Sequence, residues 1–224
     1  MIDPLLVSAK EGSLTAVQSL LARGANVNGK DNQRRTALML ASQNGHYDVV
    51  VALLAKNADV NEKDNDSMTA LTYASLTGRA SIVKALLSKK TAVYSKDALN
   101  AALVAAASNG YAAIMELLLS RGAEIEFSNG LGGTALVIAA REGCSQAVKL
   151  LLAKGADVNA QNIYGQRALM AAAEKGDAVS LQSLLDKSAG VNSRDQHGKN
   201  ALNYAAENGH EYLVQLLRRA GSKP

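Results

Sequence analysis

The chain has no tryptophan, one phenylalanine, one cysteine and two prolines, and each scarcity removes a class of protein. Cys144 has no second thiol to pair with, so a disulfide-stapled scaffold is excluded and the redox compartment stays open. Hydrophobic residues make up 48% of the chain but aromatics only 4%, so the apolar mass is alanine, leucine and valine, which suits closely packed helices. The longest apolar runs, such as Val49 to Ala55 and Ala101 to Ala107, fall far short of the roughly 20 residues that cross a bilayer, so a soluble chain is expected. Residues Met1 to Lys10 show no basic segment followed by an apolar stretch. The compartment is left open between the cytoplasm and, with a signal peptide removed, the bacterial periplasm. A net charge of +4 suits an acidic partner but is too mild for a nucleic-acid signature. At 224 residues the core is large enough to need neither disulfide nor metal.

What the chain does have is glycine at regular intervals. Gly12, Gly45, Gly78, Gly110, Gly143, Gly176 and Gly209 are separated by 33, 33, 32, 33, 33 and 33 residues, and the same text recurs around them. The stretches RTALMLASQNGHYDVVVALLAKNADVN, GTALVIAAREGCSQAVKLLLAKGADVN and KNALNYAAENGHEYLVQLLRRAG are variants of one unit. Within a unit, Thr36 precedes Ala37, Leu38 and Ala41 and reads as the N-cap of a short helix. Gly45 stops that helix. A second helix begins near Tyr47, with Val49, Val50, Leu53 and Leu54 at helical spacing, and ends near Lys56. The polar segment that follows, with Asp and Asn at turn positions, reads as a hairpin-like connection. Cations at the ends of the second helices, Arg23, Lys56, Lys89, Arg121, Lys154 and Lys187, complement the helix dipoles.

A helix pair of this size cannot bury its apolar face alone, so the units must stack. The period, the T-x-L-x-x-A-A-x-x-G-H core and the G-A-D-V-N tail resemble the ankyrin repeat, over about residues 4 to 222, and the text is closer to bacterial than to animal members. The resemblance implies an all-α ankyrin-repeat solenoid forming a single domain. Its seven repeats would fall near residues 1–30, 31–63, 64–96, 97–128, 129–161, 162–194 and 195–224. The family's Pro and His in T-P-L-H are missing: the segments read TALM, TALT, AALV, TALV, RALM and NALN.

Chemistry is hard to assemble from this chain. His46 and His210 share one repeat position, where the family carries a structural histidine, and His197 lies at a loop tip. Cys144 fills the His46 position and reads as packing. Three isolated histidines and one cysteine offer no metal-ligand spacing. Gly130 to Thr134 superficially resembles a phosphate-binding loop, but it has no preceding strand and no Lys-Ser/Thr continuation. No enzyme activity, cofactor or metal is expected. One junction is irregular: between the third and fourth repeats Lys90 replaces the stop glycine, Tyr94 replaces Asn, and the loop Lys96 to Ala101 is one residue short.

The resemblance implies binding of another protein, as a monomer, through a concave face lined by loop tips and the exposed ends of first helices. Inhibition or shielding of an enzyme is one use of such a face. Carried onto this chain, the contact positions are Lys30, Arg35, Gln43, Asn44, Lys63, Met68, Leu76, Thr77, Lys96, Asn109, Leu131, Arg141, Glu142, Ile163, Tyr164, Glu174, Lys175 and Arg194. Met68, Leu76, Leu131, Ile163 and Tyr164 are apolar where water is expected. Lys30, Lys63 and Lys96 form a basic row suited to an acidic partner. A structural spacer, or a binder of nucleic acid or another anionic polymer, is the competing reading.

Overall fold

The computed structural model describes residues 3–88, 94–129 and 133–223. Among the described residues it contains fourteen helices and no strand. In chain order they are α1 (Pro4–Glu11), α2 (Leu14–Ala22), α3 (Ala37–Asn44), α4 (Tyr47–Ala55), α5 (Ala70–Leu76), α6 (Ala80–Ser88), α7 (Lys96–Ala107) and α8 (Ala112–Ser120). The rest are α9 (Ala135–Glu142), α10 (Ser145–Ala153), α11 (Ala168–Lys175), α12 (Ala178–Asp186), α13 (Ala201–Glu207) and α14 (Glu211–Arg219). Two compact units result, one of Met1–Ala106 with Glu116–Ala123, the other of Ala107–Met115 with Glu124–Pro224. In the first, α1, α3 and α5 pack in one row and α2, α4 and α6 in another; in the second, α9, α11 and α13 form a row, with α10 against α12.

Local chemistry sets each helix. Thr36, Thr69 and Asn200 accept the backbone N–H three residues on, at 3.3, 3.2 and 3.1 Å, satisfying donors that a helix start leaves open. Gly45 closes α3 at φ +85°, its N–H donating to the Ala41 carbonyl. All seven periodic glycines share this left-handed conformation, which a side chain would disfavour. The second helices end differently. The Ala58 N–H donates back to the Leu53 carbonyl at 3.1 Å, past Asn57 at φ +60°. The same closure recurs at Ala25, Ala123, Ala156 and Ala189. It tucks Ala58 and Val60 into the core at 2% and 4% exposure, so the polar-looking A-D-V-N segment contributes apolar packing as well as a turn. Burying a side chain such as Leu53 fully is worth about 2 kcal/mol.

The asparagine of that segment ties neighbouring repeats together. Asn28 Oδ1 accepts the Asp59 N–H, Asn159 Oδ1 the Gly190 N–H, and Asn192 Oδ1 the Lys223 N–H, each at 2.9 Å. Glu126 does the same for Asp157 at 2.7 Å.

The hairpin connections are present as antiparallel bridges pairing Lys30 with Thr36, Ser128 with Thr134 and Gln161 with Arg167. The fourth repeat departs from the expectation. Lys96 to Ala101 is the start of α7, not a loop. Ala98, Leu99, Ala101 and Ala102 are good helix formers, Asp97 sits favourably in the first turn, and Ser95 Oγ accepts the Ala98 N–H. Asp97 occupies the repeat position that turns the hairpin elsewhere, and here it is spent on a helix.

Candidate binding surface

Four hairpin tips are each organised by one acceptor. Asp31 Oδ1 takes the N–H groups of Gln33 and Arg35; Asp64 Oδ1 those of Asp66 and Met68; Asn162 Oδ1 those of Tyr164 and Gln166; Asp195 Oδ1 those of His197 and Lys199. Two N–H groups on one oxygen hold the tip in a fixed shape, so the residues between them are presented rigidly. Two tips are braced further by the first helix: the Tyr73 hydroxyl donates to Asp64 and the Tyr204 hydroxyl to Asp195, both at 2.6 Å.

These contacts shift the acids and phenols in opposite senses. Burial opposes ionisation of Asp31, but the Arg35 N–H, the Arg35 guanidinium and the Gln33 N–H outweigh it and hold the carboxyl below its ordinary value. Asp195 is likewise held low, burial being outweighed by Tyr204, the Lys199 and His197 N–H groups and the His197 charge. Burial and the Asp64 carboxylate push Tyr73 up to about 12. Burial and Asp195 push Tyr204 up as well.

Between a tip and the first helices lies a groove. In the first unit Leu6, Val7 and Lys10 of α1, Leu40 and Asn44 of α3, and Asp31, Asn32, Gln33 and Arg35 line about 540 Å³. In the second unit a similar groove of about 290 Å³ lies among Ile138 and Arg141 of α9, Asn162, Tyr164 and Gln166 of a tip, and Glu174 of α11.

Of the expected contact positions, Arg35 and Asn44 meet in the first groove, and Arg141, Tyr164 and Glu174 in the second. Arg35 is committed to Asp31 at 2.8 Å, and the Asn44 amide donates to the Leu40 carbonyl. Glu174 accepts from Gln166 at 2.9 Å, and Arg141 lies 3.5 Å from Glu142. Ile163 and Tyr164 stand out at a tip, each 52% exposed, and Leu76 is 38% exposed at the end of α5. Met68 is only half-buried, and Gln43 likewise. Thr77 closes α5 by donating its hydroxyl to the Tyr73 carbonyl. Lys30 is tied to Glu62 at 2.7 Å, Lys63 is exposed, and Lys96 opens a helix. The Asn109 amide donates to Ser108, Arg194 donates to the Gly198 carbonyl, and the Lys175 stem lies over Gly143. Leu131, with Gly130 and Gly132, and Lys89 and Lys90 at the irregular junction, lie outside the described residues.

Sequence reasoning missed Leu6, Val7, Leu40, Ile138 and the tip acceptors Asp31 and Asn162 as groove walls. The acceptors recur once per repeat, and that recurrence was the available signal.

The histidines and the cysteine that metal or nucleophile chemistry would use are separated in the chain. The His46 Nε2–H donates to the Lys10 carbonyl at 2.9 Å and the His210 Nε2–H to the Glu174 carbonyl at 3.1 Å, so both rings bond neighbouring repeats. The Cys144 sulfur packs on Gly110, and burial together with the Glu142 charge pushes its thiol up. Among the described residues no three His, Cys, Asp or Glu side chains gather as a metal site, and no helix is long and apolar enough to cross a membrane.

Stacked helix pairs with rigid hairpin tips define a helical repeat protein. The ankyrin-repeat description, "Ankyrin repeats (3 copies)", matches residues 5–98, 94–162 and 136–224, and the chain belongs to the ankyrin-repeat family. The ankyrin repeat domain of human ASB11 matches with a TM-score of 0.90 and 30% identity, over 100% of both chains. The ankyrin repeat domain of Bcl-3, a member of the IkappaB protein family, matches with a TM-score of 0.79 and 27% identity, over 96% of this chain and 97% of that one. No curated protein matches by sequence. Ankyrin-repeat domains generally mediate protein–protein interaction and are typically non-enzymatic.

Proposed function

We propose that this chain binds a folded protein partner through the grooves and hairpin tips of the first-helix side, the concave face of the family, and that it inhibits or shields an enzyme by covering it. One observation carries the reading: Ile163 and Tyr164, each 52% exposed, sit on a tip held by two hydrogen bonds to Asn162, with Tyr164 and Arg141 lining the same groove. A rigid Tyr beside an Arg is the composition that dominates binding energy at protein interfaces, because ordering it on binding costs little entropy. Leu76 adds an apolar contact at a position where the other repeats carry Lys10, Gln43, Ser108, Arg141, Glu174 and Glu207.

The test is affinity capture from native extract with the wild type and a Leu76→Asp, Tyr164→Asp variant, with the partner's affinity then measured by calorimetry. A protein held by the wild type and lost by the variant supports the proposal. Identical captures with both proteins overturn it.

A further inference from the structure

The second-helix row of the first unit holds another groove, remote in composition from the tips. Tyr47, Val51 and Leu54 of α4 face Ser81, Lys84 and Ala85 of α6 across about 630 Å³. The α4 residues fall at i, i+4 and i+7, which forms a continuous stripe along one helix face. Small residues on α6 leave the space that an α4-like wall would fill.

Comparison among the repeats marks Val51 as unusual. The position of Val51 is held in the other repeats by Gln18, Lys84, Glu116, Lys149, Gln182 and Gln215, every one exposed. Solvent sets that choice six times. In α4 alone the residue is a valine, 42% exposed, with Tyr47 beside it at 45%. Scattered apolar residues on a surface need no explanation, but Val51, lining a groove beside Tyr47, departs from what the other six repeats carry at its position.

We propose that this groove docks an amphipathic helix of a partner protein, apolar along one ridge and bearing a carboxylate that meets Lys84. The walls are two helices whose backbone groups are internally bonded, so an extended strand has nothing to pair with, whereas a helix ridge fits between helix walls. The lining residues include one cation and no acid, and Lys84 takes part in none of the ion pairs among the described residues. Lys56, at the end of α4, is also exposed. A second copy of this chain would bring a second Lys84 into a groove with no acid to receive it, so charge favours a different, acidic partner.

The experiment pans a displayed library of random 16-residue peptides on the wild-type chain and measures the enriched peptides by fluorescence anisotropy. The variants are Val51→Lys, which places at 51 the residue type that Lys84 and Lys149 already carry at that position, and Lys84→Glu. Enriched peptides are expected to show apolar residues at helical spacing with an Asp or Glu alongside. They should bind Val51→Lys on the order of tenfold more weakly, and Lys84→Glu should reverse the preference to peptides with Lys in place of the acid. Circular dichroism and melting temperature verify that both variants stay folded. Equal binding to Val51→Lys, indifference to the sign at 84, or no enrichment overturns the proposal. A wild-type dimer that Val51→Lys converts to monomer in sedimentation overturns it in favour of a second copy. The Leu76→Asp, Tyr164→Asp variant separates the two surfaces: peptide binding kept while partner capture is lost assigns them independently.

Discussion

The Tyr94 hydroxyl donates to the Leu86 carbonyl at 2.9 Å, and the Arg121 guanidinium donates to the next carbonyl, Leu87. Two side chains thereby satisfy open acceptors at the end of α6, the helix whose repeat has Lys90 in its sequence where four others have Gly24, Gly122, Gly155 and Gly221. Tyr94 occupies the repeat position of Asn28 and Asn159, so the residue that elsewhere bonds the following repeat here turns back on the preceding helix. Burial pushes its phenol up, in keeping with a donor that stays protonated. Tyr94→Phe removes one buried bond and is expected to cost about 1 kcal/mol in urea unfolding. A cost near zero would mean that the hydroxyl contributes nothing at this end.

Gly12 lies beneath the His46 ring, where an added Cβ would come within 2.4 Å of Nδ1, whereas the same position at Gly209 is open. Both have positive φ, at 79° and 73°. Gly209→Ala should therefore cost only the conformational penalty, about 1 kcal/mol. Gly12→Ala should cost about 1–2 kcal/mol more, because His46 must give up its bond to Lys10. Thermal melts of the two variants measure the difference, and Gly12→Ala in a His46→Ala background should recover most of the steric part.

Ser42 and Ser75 occupy the same repeat position, fully buried, and neither hydroxyl has a hydrogen-bond partner. The other repeats carry Ala9, Ala107, Ala140, Ala173 and Ala206 there. An unpaired buried hydroxyl costs about 1 kcal/mol or more, and serine is a poorer helix former than alanine. Ser42→Ala and Ser75→Ala should each raise the urea midpoint, and a lowered midpoint would show that the hydroxyl is satisfied in solution.

Asp31 and Asp195 are held below their ordinary values in the folded chain. A carboxyl shifted downward stabilises the fold above its unfolded value, near pH 4, and that contribution disappears as pH falls through the lowered native value. Stability should accordingly drop between about pH 4 and pH 2. Asp195→Asn should flatten that drop while keeping the tip, since Asn162 holds its own tip with the same two backbone bonds. Urea titrations across that range provide the measurement.

Tyr73, pushed up to about 12 by burial and Asp64, gives the opposite prediction at high pH. A raised phenol stabilises fully below its unfolded value, near pH 10, and the contribution is lost as pH rises toward the native value. Tyr73→Phe should lose the bond to Asp64 and with it part of the alkaline destabilisation, read by the same titration.

The sequence by itself determined the helices other than the start of α7, most of their caps and the family, because these depend on contacts within one repeat. Thr36 meets an N–H three residues on, Gly45 reverses its own backbone, and the period displays both again and again. The tertiary structure decided what depends on contacts between repeats. Asn28 reads as a turn residue until it is seen to hold Asp59, 31 residues later. Asp97 has the identity of a hairpin residue, but the alanines after it and the cap at Ser95 draw it into α7. Lys30 is a solvent cation in sequence and the partner of Glu62, in the next repeat, in space. Val51 sits inside an ordinary helical run of valines, and only its exposure beside the small residues of α6 separates it from Val49 and Val50, which are buried. Local hydrogen bonds are written in neighbouring letters; which faces remain for a partner is settled when the repeats cover one another.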